Sequence, residues 1–410
     1  MLKDKLTKKN ILIGTVTIIA LVLIISGIIL LLPNKIEIKP NKNEQNTITL
    51  NAVETYAKTR DISLLDKTST KDDESIILIK NGISVALRDS IFKKYGGVAT
   101  SKDLLEQSGL NSLIAVSYDS TFKSNNNKLE MSTEYTNGIF LGGTKTEGII
   151  TNTEINGYGN YNTGILVNKN AKMDLSQSKI TTKFIYSPAL KIKGYANLSK
   201  NVLLETNGND SPAFINEGNL KINDSTLTAN ASKIGIINNG YTTIKNTTLI
   251  TAGASNKDRF ASAIIMTGKK SSLDLIDSSL NINSKMPYYD IASILDLNKT
   301  NATINLKNSQ FNYGSNKFIA ANNSNIKLNL EKETLTGDIQ LDDKSKIDIN
   351  LKDGSILITS LNNNESTITI DENSKLILQG DTHIKELNIK NPNSIITGKY
   401  KLYINNELYK

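Results

Sequence analysis

The chain has 410 residues, a formal net charge of +8, no cysteine, no tryptophan and one histidine. Without cysteine there is no disulfide, no thiolate-ligated zinc or iron–sulfur centre, no thiol nucleophile and no lipidated cysteine, and one histidine excludes a multi-histidine metal site. Residues 1–60 supply five of the eight charges, and the only arginines are Arg60, Arg88 and Arg259, so the bidentate contacts that read bases and phosphates are scarce and no nucleic-acid partner is expected.

Residues 11–32 are uncharged and mostly apolar. As a helix they would span about 33 Å, enough for a bilayer core of about 30 Å. Lys3, Lys5, Lys8 and Lys9 precede them against the single acid Asp4, which keeps residues 1–10 in the cytoplasm as a short tail and sends the C-terminal part outside. The run is long for a signal peptide and lacks a small-x-small cleavage site, so a retained single-pass anchor in the cell membrane is expected; the alternative is a cleaved, secreted form. Residues 33–75, with Pro33 and Pro40 and a Lys/Ser/Thr/Asp-rich stretch at 66–75, read as a polar stalk and linker. The remainder, 76–410, reads as one ectodomain.

Within it, Thr100-Ser-Lys-Asp103-Leu-Leu-Glu-Gln-Ser-Gly109 opens like a capping box and stops on glycine, predicting a short helix inserted before the strand Leu113–Val116. It reads as an ornament of the loop, and its place near the N-terminal coils would also let it cover the open end of a stack.

From about residue 140 a six-residue word recurs: apolar, any, Asn/Asp, Ser/Thr, any, apolar. It reads Ile150-Thr-Asn-Thr-Glu-Ile155, then Leu175-Ser-Gln-Ser-Lys-Ile180, with further copies starting at Ile222, Ile244, Leu275 and Leu306 and degenerate ones at Leu198, Leu330 and Leu351. Most starts lie 21–25 residues apart, two intervals being 31; such a period marks a solenoid. Before each word apolar and polar residues alternate, as at Leu220/Ile222 and Leu273/Leu275, which is the period of a half-buried strand. The Asn/Asp-Ser/Thr pair is turn chemistry, and the next Leu or Ile opens a second strand. A third precedes each unit, as in Gly164-Ile-Leu-Val167, twice after Ser-Pro at 187–188 and 211–212. Three strands and three turns in about 22–25 residues make one coil of a right-handed parallel β-helix, an all-β fold. Asn152, Asp224, Asn246, Asp277, Asn308 and Asp353 are expected to stack along one edge, asparagines as an amide ladder, aspartates only where separated. Ile222, Leu275 and Leu306 are expected to face inward. An antiparallel sandwich is the alternative, but Asn-Gly and Asp-Gly pairs do not recur at a fixed point of the unit.

The stretches Glu74–Gly82, Ser108–Ala115, Thr136–Phe140, the two Ser-Pro-Ala units, Leu335–Asp338, Leu351–Ser355, Lys375–Asp381 and Tyr400–Asn405 resemble the adhesin-like parallel β-helix surface proteins of low-GC Gram-positive bacteria, similar in turn to autotransporter adhesin passenger regions. The resemblance covers about residues 74–410 and implies a cell-surface role in adhesion. The chain departs from that pattern in having no tryptophan and in the expected retention of its anchor.

The rival class is a lyase or glycosidase, since parallel β-helices also host polysaccharide-active enzymes. A glycosidase needs two carboxylates facing one bond. Adjacent aspartates occur only at Asp72-Asp73, in the expected linker, and Asp342-Asp343, at an expected turn. His383 falls at an outward position of an alternating strand. No catalytic, cofactor-binding or metal-binding residues are assigned, no cofactor is expected, and the substrate-binding residues stay open. Tyr158, Tyr161, Tyr186, Tyr195, Tyr241, Tyr288 and Tyr289 lie at or near turns, where exposed rings can stack on sugars. The insertions Thr251–Phe260 and Lys285–Asp290 are where loops on a rigid scaffold would bind. The expectation is a noncatalytic adhesin whose partners are the cytoplasmic membrane, through residues 11–32, and an extracellular glycan or a host or neighbour-cell surface protein.

Overall fold

The computed structural model describes residues 50–251, 262–282, 293–313 and 317–409. The expected tail, membrane segment and front of the stalk, the insertion at 285–290 with Tyr288 and Tyr289, and all of the first insertion but Thr251 lie outside them. Among the described residues no helix is long and apolar enough to cross a membrane.

Leu50–Lys410 forms one compact unit built of stacked three-stranded coils. The first coil consists of β1 (Asn51–Tyr56), β2 (Arg60–Ser63) and β3 (Asp66–Ser69). Each pairs in parallel with the matching strand one coil later: Asn51 with Glu74, Arg60 with Val85 and Asp66 with Ile91. Repetition of that step gives sheets of twelve, fourteen and ten strands among the described residues. We call them the first, second and third sheets after β1, β2 and β3. A four-stranded and a three-stranded sheet follow in the last coils, the latter closing on an antiparallel hairpin, Leu402–Ile404 against Glu407–Leu408. Its turn is Asn405-Asn406 with φ of 50° and 65°, the left-handed pair a tight hairpin requires.

The stack therefore starts some 25 residues earlier than expected: the segment taken as the end of a stalk carries β1 to β3 and the start of the next strand, Glu74–Ile79. Its sequence is polar because the first coil buries little. Tyr56 and Ser69 are its only buried strand residues.

The repeat word is the register. Ile150, Leu175, Leu198, Ile222, Ile244, Leu275, Leu306, Leu330 and Leu351 pair in that order along the second sheet. All are at most 2% exposed, Ile222, Leu275 and Leu306 among them. One connected apolar core runs from Tyr56 to Leu402, as a stack must if each coil is to bury what its neighbour leaves open.

The third residue of the word turns the chain. In the six full copies it has φ between 47° and 49°, the left-handed region that Asn and Asp tolerate best. These residues stack as expected, with acids next to amides: Asn126 Nδ2 donates to Asp89 at 2.6 Å, Asn152 to Asn126 at 3.3 Å, Asn246 to Asp224 at 2.5 Å and Asn308 to Asp277 at 2.8 Å. The amides beside Asp89, Asp224 and Asp277 relieve the like-charge repulsion that a row of aspartates would suffer. The fourth residue points inward, where its hydroxyl accepts the main-chain N–H of the preceding coil: Thr153 N to Ser178 Oγ, Thr247 N to Ser278 Oγ, Ser278 N to Ser309 Oγ.

Candidate binding groove

The outward row at the middle of the first sheet reads Leu78, Ala115, Phe140, Leu166, Lys191, Ile215, Ile237, Ile265, each pairing with the next. The first four are at most 2% exposed although they lie outside the central core. Beside them lies α1 (Lys102–Ser108), which ends on Gly109 against the Phe140 ring. Ser101 caps its start, its hydroxyl accepting from Leu104 N at 3.3 Å, and Gly109 ends it with φ 76°. Glycine is needed there twice over: the backbone is left-handed, and a Cβ would stand 2.4 Å from the Phe140 ring. The helix carbonyls left without intrahelical partners are met by the stack. Asn137 Nδ2 donates to Leu105 O at 3.1 Å, and Asn168 Nδ2 to Glu106 O at 3.2 Å and Gln107 O at 3.3 Å. Glu106 reaches Lys191 at 2.5 Å and Lys193 at 2.8 Å. Burial opposes its ionisation, but the hydrogen bonds from the two lysines outweigh that and hold its pKa below the ordinary glutamate value. The predicted helix thus forms, but it lies along the flank of the first sheet rather than over the end of the stack. Asn137, Asn168 and Lys191, successive coils of that sheet, are what fix it there.

Beside the helix, the corner leading into the first sheet carries Tyr135, Tyr161 and Tyr186 in successive coils, with φ of 50°, 59° and 52°. A left-handed backbone is uncommon for an aromatic residue. The rings stack along the axis, 4.6 Å and 2° between the first two, 5.4 Å and 17° between the second two. Lys102 lies 4.7 Å from the Tyr135 centroid and 5.0 Å from that of Tyr161, and its hydrogen bond with Tyr135 raises its pKa. Between the tyrosine ladder and α1 runs a groove of about 150 Å³, lined by these rings, Leu105, Pro188 and Ile215, and by Lys102, Glu106, Asn137, Thr163 and Lys191. Asn137 is 1% exposed and its Oδ1 has no partner.

Two of the tyrosines singled out in the sequence, Tyr161 and Tyr186, therefore meet. Tyr135 joins them unannounced; its signal was the 26- and 25-residue spacing, which continues the period upstream. Tyr158 instead faces Lys183, whose Nζ is 4.8 Å from the ring centroid, while Tyr195 and Tyr241 border a separate, shallow groove of about 440 Å³ with Lys193.

The acidic pairs have structural work. Asp72 accepts from Val98 N and Asp73 from Thr100 N and Oγ1, pinning the loop that leads into α1. Asp342 caps a turn by accepting from Asn323 N and Ser345 Oγ. His383 stacks on Tyr403 at 4.3 Å in the last coils. Among the described residues no three acidic or histidine side chains gather closely enough to hold a metal ion.

Two buried ionisable groups escaped the sequence. Lys94 is fully buried and donates to Ser69 Oγ, Lys71 O and Glu74 O at 3.2, 2.9 and 2.7 Å. Burial brings its pKa down to about 8 against the opposing pull of Glu74, Asp72 and Asp73. With all three protons engaged and no exposure, it ties the first coils together and is no nucleophile. Glu333 replaces serine in the corner hydroxyl row. Its Oε1 accepts from Ser309 N at 2.7 Å, its Oε2 has no partner, and burial pushes its pKa up to about 7.

No protein-family model matches the chain, and a search of curated proteins found no match either.

Proposed function

We propose that this chain is a noncatalytic binding protein of the cell surface, a right-handed parallel solenoid held to the membrane by residues 11–32 and engaging extracellular glycans or surface proteins through its flank. The observation that carries the reading is the groove beside α1. There a ladder of three tyrosines, two of them among the exposed large side chains, stands against a helix fixed by asparagine amides and ion pairs. A rigid wall of aromatic rings with a few converging polar groups is what a recognition site requires. Of the adjacent aspartates, Asp72, Asp73 and Asp342 accept hydrogen bonds from loop and turn groups. The full chain, solubilised in detergent, is to be screened on an array of glycans and surface proteins, with a reducing-end assay alongside. Retention without cleavage is expected; new reducing ends from a polysaccharide would replace the adhesion reading with an enzymatic one. Protease added to intact cells should remove the bulk of the chain and leave a stub beginning at residue 1 or 2. A product recovered from the medium with its N-terminus between residues 27 and 45 would remove the anchor from the proposal.

A further inference from the structure

The groove is small and its charge is unbalanced, and together these features narrow what it can take. Lys102, Lys191 and Lys193 stand around the single carboxylate of Glu106. One carboxylate answers two ammonium groups and leaves an excess of positive charge, part of it on the exposed Lys102 beside the Tyr135 and Tyr161 rings. The aromatic surface is equally selective. Tyr161 has a ring on each side, Tyr135 and Tyr186, and so offers the groove only its edge. Tyr186 ends the ladder at 50% exposure, and among the described residues no further ring stacks upon it. At about 150 Å³ the groove is well below the roughly 300–1,000 Å³ of a pocket that engulfs a drug-sized molecule, so it holds one ring and not a folded peptide.

We propose that the groove binds a single acidic sugar ring, its carboxylate against Lys102 and Lys191 and its apolar face against Tyr186. The proposal rests on the surface-binding reading and adds the class of ligand. A planar carboxylate in this position also meets the phenol edges of the ladder, whereas a neutral sugar leaves the excess charge unanswered. Lys193, paired with Glu106, lines the shallow groove beside Tyr195 and Tyr241, so further rings of an oligosaccharide have a surface to follow.

The test is calorimetry on the detergent-solubilised full chain with two probes: a hexuronic-acid oligosaccharide of two to four rings, and the same oligosaccharide with its carboxyl groups reduced to alcohols. Lys102→Glu and Tyr186→Ser alter the groove, and Lys346→Glu, exposed on the second sheet, serves as a distant control. Melting curves establish that each variant is folded. The acidic probe should bind at least tenfold more tightly than its neutral twin. Lys102→Glu should erase that preference, Tyr186→Ser should weaken both probes, and Lys346→Glu should change neither. Equal affinity for the two probes, lost in Tyr186→Ser, would overturn the acidic specificity and leave the groove as a glycan site. Binding unaltered in folded Lys102→Glu and Tyr186→Ser would overturn the assignment of the groove itself. Cleavage of either probe would count against the noncatalytic reading, while the affinity ratio would still decide the ligand class.

Discussion

Two outward rows of this stack share one register and are treated in opposite ways. On the second sheet the row Ile149, Asp174, Asn197, Lys221, Thr243, Asp274, Asn305, Asn329, Asn350 faces water. It meets its own needs: Asn305 donates to Asp274 at 2.6 Å, Asn329 to Asn305 at 2.6 Å and Asn350 to Asn329 at 2.8 Å. On the first sheet the row from Leu78 to Leu166 is apolar and buried, and α1 is tied to that sheet through Asn137 and Asn168, with Gly109 against Phe140. A polar row on a regular stack completes itself along the axis. An apolar row must recruit cover from elsewhere, and where that cover ends, at Lys191, a groove opens.

The sharpest way to break the comparison is to put a charge where neither face allows one. Leu275→Asp, at an inward position 1% exposed, leaves an unpaired carboxylate in the core and should cost about 3–5 kcal/mol, with neighbouring coils lost from the cooperative melt. Unchanged thermal stability would mean that this position faces outward.

The two rows themselves are compared by Phe140→Ala and Ile149→Ala. Both residues point away from the core, but Phe140 is 1% exposed and Ile149 is 42% exposed. Denaturant titration should give about 3–5 kcal/mol for the first and no more than about 0.5 kcal/mol for the second. Equal small effects would show that α1 does not bear on the sheet.

The corner that follows the second sheet supplies a case of burial with incomplete pairing. The folded protein binds the Glu333 proton more tightly than the unfolded chain does, since its pKa is raised from 4.5 to about 7. Its stabilising effect is thus full below about pH 4.5 and is lost as the pH rises through about 7, a change on the order of 3 kcal/mol. Glu333→Ser, which restores the residue type found at this corner in Ser309 and Ser355, should flatten the dependence and raise stability at pH 8. Melting curves from pH 4 to 8 that superimpose for the two proteins would refute it.

The smallest expected effect concerns the strut at the groove. Glu106→Gln weakens two ion pairs on a carboxylate side chain 39% exposed and should cost no more than about 1 kcal/mol globally. Amide exchange should nevertheless quicken in residues 102–108 and stay unchanged in Ile150 and Leu175. Uniform protection in both proteins would mean that the Asn137 and Asn168 amides hold the helix unaided.

The register was legible because one turn chemistry, apolar-x-Asn/Asp-Ser/Thr, marks the same point of each coil, and its spacings became strand pairings residue for residue. The α1 caps were legible for the same reason: Ser101 and Gly109 act locally, although the cap falls on Ser101 and not on Thr100. Where the helix rests was not, because that depends on Asn137 and Asn168, which follow it by one and two coils. A clue existed in the strands. Ile76-Ile-Leu-Ile79 and Leu113-Ile-Ala-Val116 are continuous apolar runs, the mark of strands covered on both faces. Lys191-bearing Leu190–Ile192 returns to alternation where the cover stops. The tyrosine groove was half legible, since Tyr161 and Tyr186 stood out at turns while their stacking required the coil period to be carried back to Tyr135.

The corner hydroxyls give the stack a direction. At the word itself Ser309 N is met by Glu333, Glu333 N by Ser355 and Ser355 N by Ser374. At the tyrosine corner Thr136 N is met by Asn162, Asn162 N by Ser187 and Ser187 N by Ser211. At the remaining corner Thr300 N is met by Ser324 and Ser324 N by Ser345. In each case the acceptor belongs to the coil that comes later in the chain. At these corners a main-chain amide is therefore met by the side chain of the coil that follows it. For a chain that emerges N-terminus first, these corner amides find their side-chain partners only when the next turn of polypeptide arrives.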